Sequence, residues 1–124
     1  MPRRPRALVT GFTGMVGSHL ADHLLAHTDW DLFGLLRWND DLQNVDHLLP
    51  RINDRDRVAL LYGDLDDQPS LHKAVAASAP DYVFHLAAQS YPQTSFDAPL
   101  ETLRTNILGT AGLLEAIRHS GLSP

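Results

Sequence analysis

Residues 7–18 read Ala7-Leu8-Val9-Thr10-Gly11-Phe12-Thr13-Gly14-Met15-Val16-Gly17-Ser18. A short apolar run enters three evenly spaced glycines, and a helix-like stretch, Ser18 to Leu25, leaves them. Strand, glycine turn, helix is the context in which a glycine motif binds a dinucleotide pyrophosphate. The helix start directs free N–H groups and a positive dipole end at whatever fills the turn. Gly11 permits the tight turn, Gly14 lets backbone approach phosphate, and Gly17 lets the helix pack close to its strand. The spacing is G-x-x-G-x-x-G, one residue longer in its first step than the G-x-G-x-x-G form.

Outward from that turn, strand-like and helix-like segments alternate. Strands are predicted at Arg6 to Thr10, Asp31 to Arg37, Arg57 to Tyr62 and Asp81 to Leu86. Helices are predicted at Met15 to His27, Leu42 to Leu49 (ended by Pro50), Ser70 to Ser78 and Pro99 to Ser120. Val16, Leu20, Leu24 and Leu25 form the apolar stripe of the first helix, and Leu100, Leu103, Ile107, Leu114 and Ile117 that of the last. Ala87 to Asp97 reads as a loop. Alternation of this kind implies an α/β fold, a Rossmann-like doubly wound parallel sheet with strand order 3-2-1-4. A further strand normally covers the fourth, so Tyr82-Val83-Phe84 is expected on an open apolar edge. Residues 1–124 are therefore expected to be one NAD(P)-binding segment, the N-terminal part of a longer protein.

Composition narrows the partners. A net charge of −5 argues against general nucleic-acid binding. The cluster Arg3, Arg4, Arg6 reads as a solvated tail. No cysteine is present, which removes disulfides, thiolate nucleophiles and cysteine metal sites. No apolar run reaches the roughly 20 residues of a membrane span, and a soluble, cytoplasmic protein is the default expectation.

Other residues carry candidate chemistry. Arg37 stands about 20 positions beyond the glycines, where an arginine accepts the 2′-phosphate of NADP and an acidic residue holds the ribose hydroxyls of NAD. NADP is favoured over NAD; the bland alternative is a solvated strand-end charge. Asp40 and Asp41 read as caps for the helix at Leu42 rather than ribose ligands. Asp64 has two readings, an acceptor for the adenine amino group or an Asx turn. His19, His23 and His27 share a helix face, read as solvated rather than metal-binding. His85 reads as a packed histidine orienting the next loop. Tyr91 either reaches a ligand or packs on its loop.

Thr10 to Gly17, Gly63-Asp64-Leu65, His85-Leu86-Ala87-Ala88-Gln89-Ser90 and Thr105-Asn106-Ile107-Leu108-Gly109-Thr110 occur in this order. Together they resemble the extended short-chain dehydrogenase/reductase family, the epimerase/dehydratase group. Arg37, Asn44-Val45-Asp46-His47-Leu48, Tyr62 to Leu65, Ala88 to Ser90 and Ser95-Phe96 most resemble its GDP-mannose 4,6-dehydratase and GDP-4-keto-6-deoxymannose reductase branch. The resemblance implies cofactor contacts from Gly11, Thr13, Gly14, Met15, Val16 and Gly17 at the pyrophosphate. It implies Arg37 at the 2′-phosphate, Asp64 and Leu65 at adenine, and Leu86, Ala87 and Ala88 toward the nicotinamide. Gln89, Ser90 and Ser95 would face a nucleotide-sugar substrate, GDP-linked, and Asn106 would be a buried structural amide. Relatives form homo-oligomers through the helix matching Pro99 to Ser120.

One departure bears on mechanism. The family uses a Tyr-x-x-x-Lys pair in proton transfer. Tyr62, Tyr82 and Tyr91 are followed four places on by Asp66, Leu86 and Ser95, and the only lysine is Lys73. No catalytic residue is assigned, and the chain as given is expected to bind cofactor without catalysing. The alternatives are a UDP- or dTDP-sugar epimerase or dehydratase using NAD, and a non-catalytic dinucleotide-binding module.

Overall fold

A computed structural model of the chain describes residues 3–124. Four strands, β1 (Arg6–Thr10), β2 (Asp31–Leu36), β3 (Val58–Tyr62) and β4 (Tyr82–His85), form one parallel sheet in the order β3-β2-β1-β4. Leu8 pairs with Phe33 on one side and Val83 on the other. Helix α1 (Met15–His27) follows β1, and α3 (Gln68–Ser78) follows β3. Covered on both faces, β1 is buried almost throughout, and its residues feed two cores. Ala7 and Val9 pack with Ala21, Leu24, Val45 and Leu48 on one face. Leu8 packs with Leu71, Ala74, Val75, Leu113 and Ala116 on the other.

Proline placement changes two predicted elements, and a π turn changes a third. The segment after β2 is a 3-10 helix, Gln43–Leu48, running into α2 (Leu49–Asn53), with Pro50 in the first turn of α2 rather than ending the segment. Proline lacks an N–H, and the first helical turn needs none, so the residue that stops one helix starts another. The predicted loop holds α4 (Pro92–Asp97), again begun by proline. The last helix runs as α5 (Pro99–Leu103), a π turn (Arg104–Leu108) and α6 (Gly109–Ser120).

Its predicted apolar stripe is not the packed face. Leu100, Leu103, Ile107 and Leu114 are exposed, whereas Leu113 and Ala116 meet α3 with Ile117 half-buried beside them. In α1 likewise Val16 is exposed, and Gly17, Ser18, Ala21 and Leu24 form the buried side. Small residues win these positions because they let helix and sheet approach.

The arginine cluster is pinned rather than a free tail. Arg3 pairs with Asp81 at 2.8 Å and Arg4 with Asp31 at 3.1 Å. Arg6 donates to the Ser78 carbonyl. The Arg3 guanidinium holds the Asp81 carboxyl below its ordinary value. β4 lies at the sheet edge as expected, with Tyr82 stacked on Trp30 at 4.3 Å between ring centroids. At the far end of α1, Arg57 donates to the carbonyls of Leu25, Thr28 and Trp30, satisfying groups that a helix end leaves without partners.

One contact ties the glycine turn to the sheet. The Phe12 ring, fully buried, occupies the space above Gly34 in β2. A Cβ at position 34 would lie 2.3 Å from that ring. A glycine inside a strand signals such close approach.

Candidate functional site

The C-terminal edge of the sheet opens into a cleft of about 640 Å³. The glycine turn forms one wall. Gly11 sits at φ 68°, and a Cβ there would stand 2.9 Å from the Ala87 nitrogen. At Gly17 a Cβ would lie 2.2 Å from the Gly11 carbonyl oxygen. Gly14 is the helix N-cap, exposed, and its N–H donates to the Gly11 carbonyl at 3.0 Å. No side chain caps α1, and no acidic residue stands in its first turn. The start of a 13-residue helix therefore faces the cleft with its N–H groups and positive dipole end unopposed. This is the cradle that a pyrophosphate needs. Asn44 braces it from outside, its amide donating to the Thr13 carbonyl at 2.9 Å.

The twelve residues expected at the cofactor all line this cleft: Gly11, Thr13, Gly14, Met15, Val16, Gly17, Arg37, Asp64, Leu65, Leu86, Ala87 and Ala88. Gln89 and Ser90 line it too. Ser95 does not; its hydroxyl donates to the Pro92 carbonyl within α4. The Gln89 side chain is engaged by its own loop, bonding Tyr91 and the Thr102 hydroxyl. Asn106, in the π turn, grips the backbone of Gln89 at both N–H and carbonyl, at 2.7 and 2.9 Å. Asp64 Oδ1 closes an Asx turn onto the Asp66 N–H, and the residue lines the cleft. Asp41 caps the 3-10 turn at Gln43, but Asp40 does not; it binds Arg37. His19 and His27 place Nδ1 against carbonyls one turn back in α1.

Sequence reading gave Thr10, Glu101 and Thr105 no role at the cleft and took Asp40 for a helix cap. Asp40, Glu101 and Thr105 line the cleft, and Thr10 organises it. The Thr10 hydroxyl accepts the N–H groups of Leu86 and Ala87, each at 3.0 Å, and lies 2.7 Å from His85 Nδ1. Two N–H donors fill its lone pairs, so its proton goes to Nδ1. His85 is thereby fixed with its own proton on Nε2, which donates to the Thr110 hydroxyl at 3.0 Å. Thr110 in turn donates to the Asn106 carbonyl. A single chain of hydrogen bonds thus positions residues 85–89 against the cleft. Sequence offered one signal for it, a hydroxyl residue between an apolar strand and a glycine turn.

Burial pushes the His85 pKa below its ordinary 6.5. Below about pH 6.5 the unfolded chain binds a proton that folded His85 resists. Its contribution is present above pH 6.5 and is lost as pH falls through the depressed value. Urea midpoints against pH are expected to fall more steeply below pH 6.5 for the wild type than for His85→Gln. Parallel profiles would remove His85 as the cause.

A second groove of about 670 Å³ lies beside β2, β3 and α2 and holds none of the residues expected at cofactor or substrate. Among the described residues no helix is long and apolar enough to cross a membrane, and no cluster of metal-ligating residues is present.

The sequence model of the family described as GDP-mannose 4,6 dehydratase matches residues 8–124. A GDP-mannose 4,6-dehydratase of Vibrio cholerae is 41% identical over 120 residues, 94% of this chain and 32% of that protein. A GDP-mannose 4,6 dehydratase of Drosophila melanogaster is 37% identical, again over 94% of this chain, and 30% of its own length. The UDP-glucose 4-epimerase of Thermus thermophilus, solved in complex with NAD, aligns with a TM-score of 0.75 and 31% identity over 95% of this chain and 35% of its own. The chain spans about a third of the length of the curated relatives it matches. Glycine cradle, sheet order and sequence similarity agree, and the chain belongs to the GDP-mannose 4,6-dehydratase family of Rossmann-fold short-chain dehydrogenase/reductases.

Proposed function

We propose that this chain is the NADP(H)-binding segment of a nucleotide-sugar dehydratase or reductase acting on a GDP-linked sugar. One observation carries the reading: all twelve residues expected at the cofactor line a single cleft headed by an uncapped helix. Gly11, Gly14 and Gly17 would hold the pyrophosphate, and Arg37 the adenosine 2′-phosphate. Asp64 and Leu65 would meet adenine, with Leu86, Ala87 and Ala88 along the path toward the nicotinamide. Gln89 and Ser90 would border the sugar. When bound, the nicotinamide supplies a reversible hydride acceptor for a sugar carbon. The residues of this chain bind and orient; no Tyr-x-x-x-Lys pair occurs among them, so proton transfer is assigned to none. A homo-oligomer joined through residues 99–120 belongs to the same reading, supported by the exposed Leu100, Leu103, Ile107 and Leu114.

Arg37 is the only cation among the residues lining the cleft. Fluorescence titration with NADPH and NADH tests its role. Arg37→Ala is expected to weaken NADPH by about tenfold to hundredfold, the worth of one charge-assisted contact, and to leave NADH within about twofold. Unchanged NADPH affinity would defeat the assignment of Arg37. A wild-type protein that binds neither dinucleotide would defeat the whole reading.

A further inference from the structure

Arg37 does not stand alone at the end of β2. Its backbone N–H donates to Asp40 Oδ2 at 2.9 Å, and its Nε–H to Asp40 Oδ1 at 3.0 Å. The Asp40 N–H returns to the Arg37 carbonyl at 3.2 Å, closing a turn across Trp38 and Asn39. The Asp40 side chain is 17% exposed and that of Arg37 63%. Both line the cleft. The clamp engages Nε and leaves the two terminal guanidinium nitrogens to other acceptors. Each Asp40 oxygen that accepts one N–H still has a lone pair for a further donor.

The geometry points to Asp40 as the residue that sets the choice between dinucleotides bearing a 2′-phosphate and those bearing a free 2′-hydroxyl. This rests on the reading that Arg37 meets the adenosine ribose. A phosphate is favoured by an uncompensated cation and opposed by a nearby carboxylate. A hydroxyl is favoured by an acceptor, which a carboxylate is and a guanidinium is not. The Arg37–Asp40 pair presents both chemistries on one wall. Asp40 neutralises the lone cation of the cleft, and Asp64, Asp66 and Glu101 add no positive charge to restore it. Asp40 thereby holds the preference for NADP below what Arg37 alone would give, and keeps NAD as an acceptable ligand. A residue that only closed the turn would not alter this ratio.

The test is the ratio of NADPH to NADH affinity in the wild type, Asp40→Asn and Asp40→Ser, each measured by titration with the two dinucleotides and checked for a native far-ultraviolet spectrum. Asp40→Asn keeps an acceptor for the turn and removes the charge. The ratio is expected to rise about tenfold toward NADPH, the effect of deleting one like charge beside a phosphate in partly exposed surroundings. Asp40→Ser is expected to move it the same way. The rise should shrink at high salt, since the effect is electrostatic. A ratio that is unchanged or falls in both variants overturns the inference. Arg37→Ala separates the two levels of the argument. If it leaves NADPH affinity intact, the NADP reading fails; if it weakens NADPH while the Asp40 ratio stays put, only the role of Asp40 fails.

Discussion

Gly17→Ala is expected to lower stability by about 2–3 kcal/mol, the upper part of the range for an overpacked site, and to weaken NADPH binding by roughly a hundredfold. The added methyl would sit 2.2 Å from the Gly11 carbonyl oxygen and 3.0 Å from the Phe12 Cα. These neighbours are backbone, and no rotamer change relieves the clash. Either α1 moves away from β1 or the turn changes shape, and both displace the N–H groups that face the cleft. Gly14→Ala is the informative contrast. Its methyl would meet only the Gly11 oxygen, at 3.3 Å, on an exposed residue. That variant should cost about 1 kcal/mol or less in folding, yet still weaken NADPH by placing a side chain where the pyrophosphate is proposed to bind. Urea midpoints and NADPH titrations separate the two. A Gly17→Ala protein with native midpoint and native affinity would rule out the tight helix–turn contact.

Thr10→Val should have the next largest effect, a loss of about 2–4 kcal/mol for groups left without partners. The shape is nearly preserved while one hydroxyl with three partners is removed. The Leu86 N–H retains only its longer bond to the Thr10 carbonyl, at 3.3 Å, and the Ala87 N–H and His85 Nδ1 lose their partner. Because residues 86–88 line the cleft, NADPH affinity should fall as well. Thr10→Ser keeps the hydroxyl and deletes one buried methyl, at about 1 kcal/mol. Equal losses in the two variants would show that the hydroxyl is no hub.

Much of this was readable from the chain. Four continuous apolar runs, each followed by a turn and a helix pattern, gave the strand order and the edge carrying the site. The glycine spacing and the family resemblance picked out twelve residues that line one cleft. What stayed hidden has physical causes. Pro50 and Pro92 send the same local signal as a stop and as a first helical turn, so α2 and α4 were misread. The buried side of the last helix depends on contact with α3, which leucine spacing does not encode. Thr10 and Asp40 act through hydrogen bonds whose partners are fixed only once the turn and loop are in place.

The Phe12 ring over Gly34 has a consequence for how such chains diverge. Neither position is free to drift alone. A methyl gained at 34 is lethal to the packing while phenylalanine remains at 12, and a smaller residue at 12 opens a hole above a strand with no side chain to fill it. Descendants should therefore change the two together, small with large.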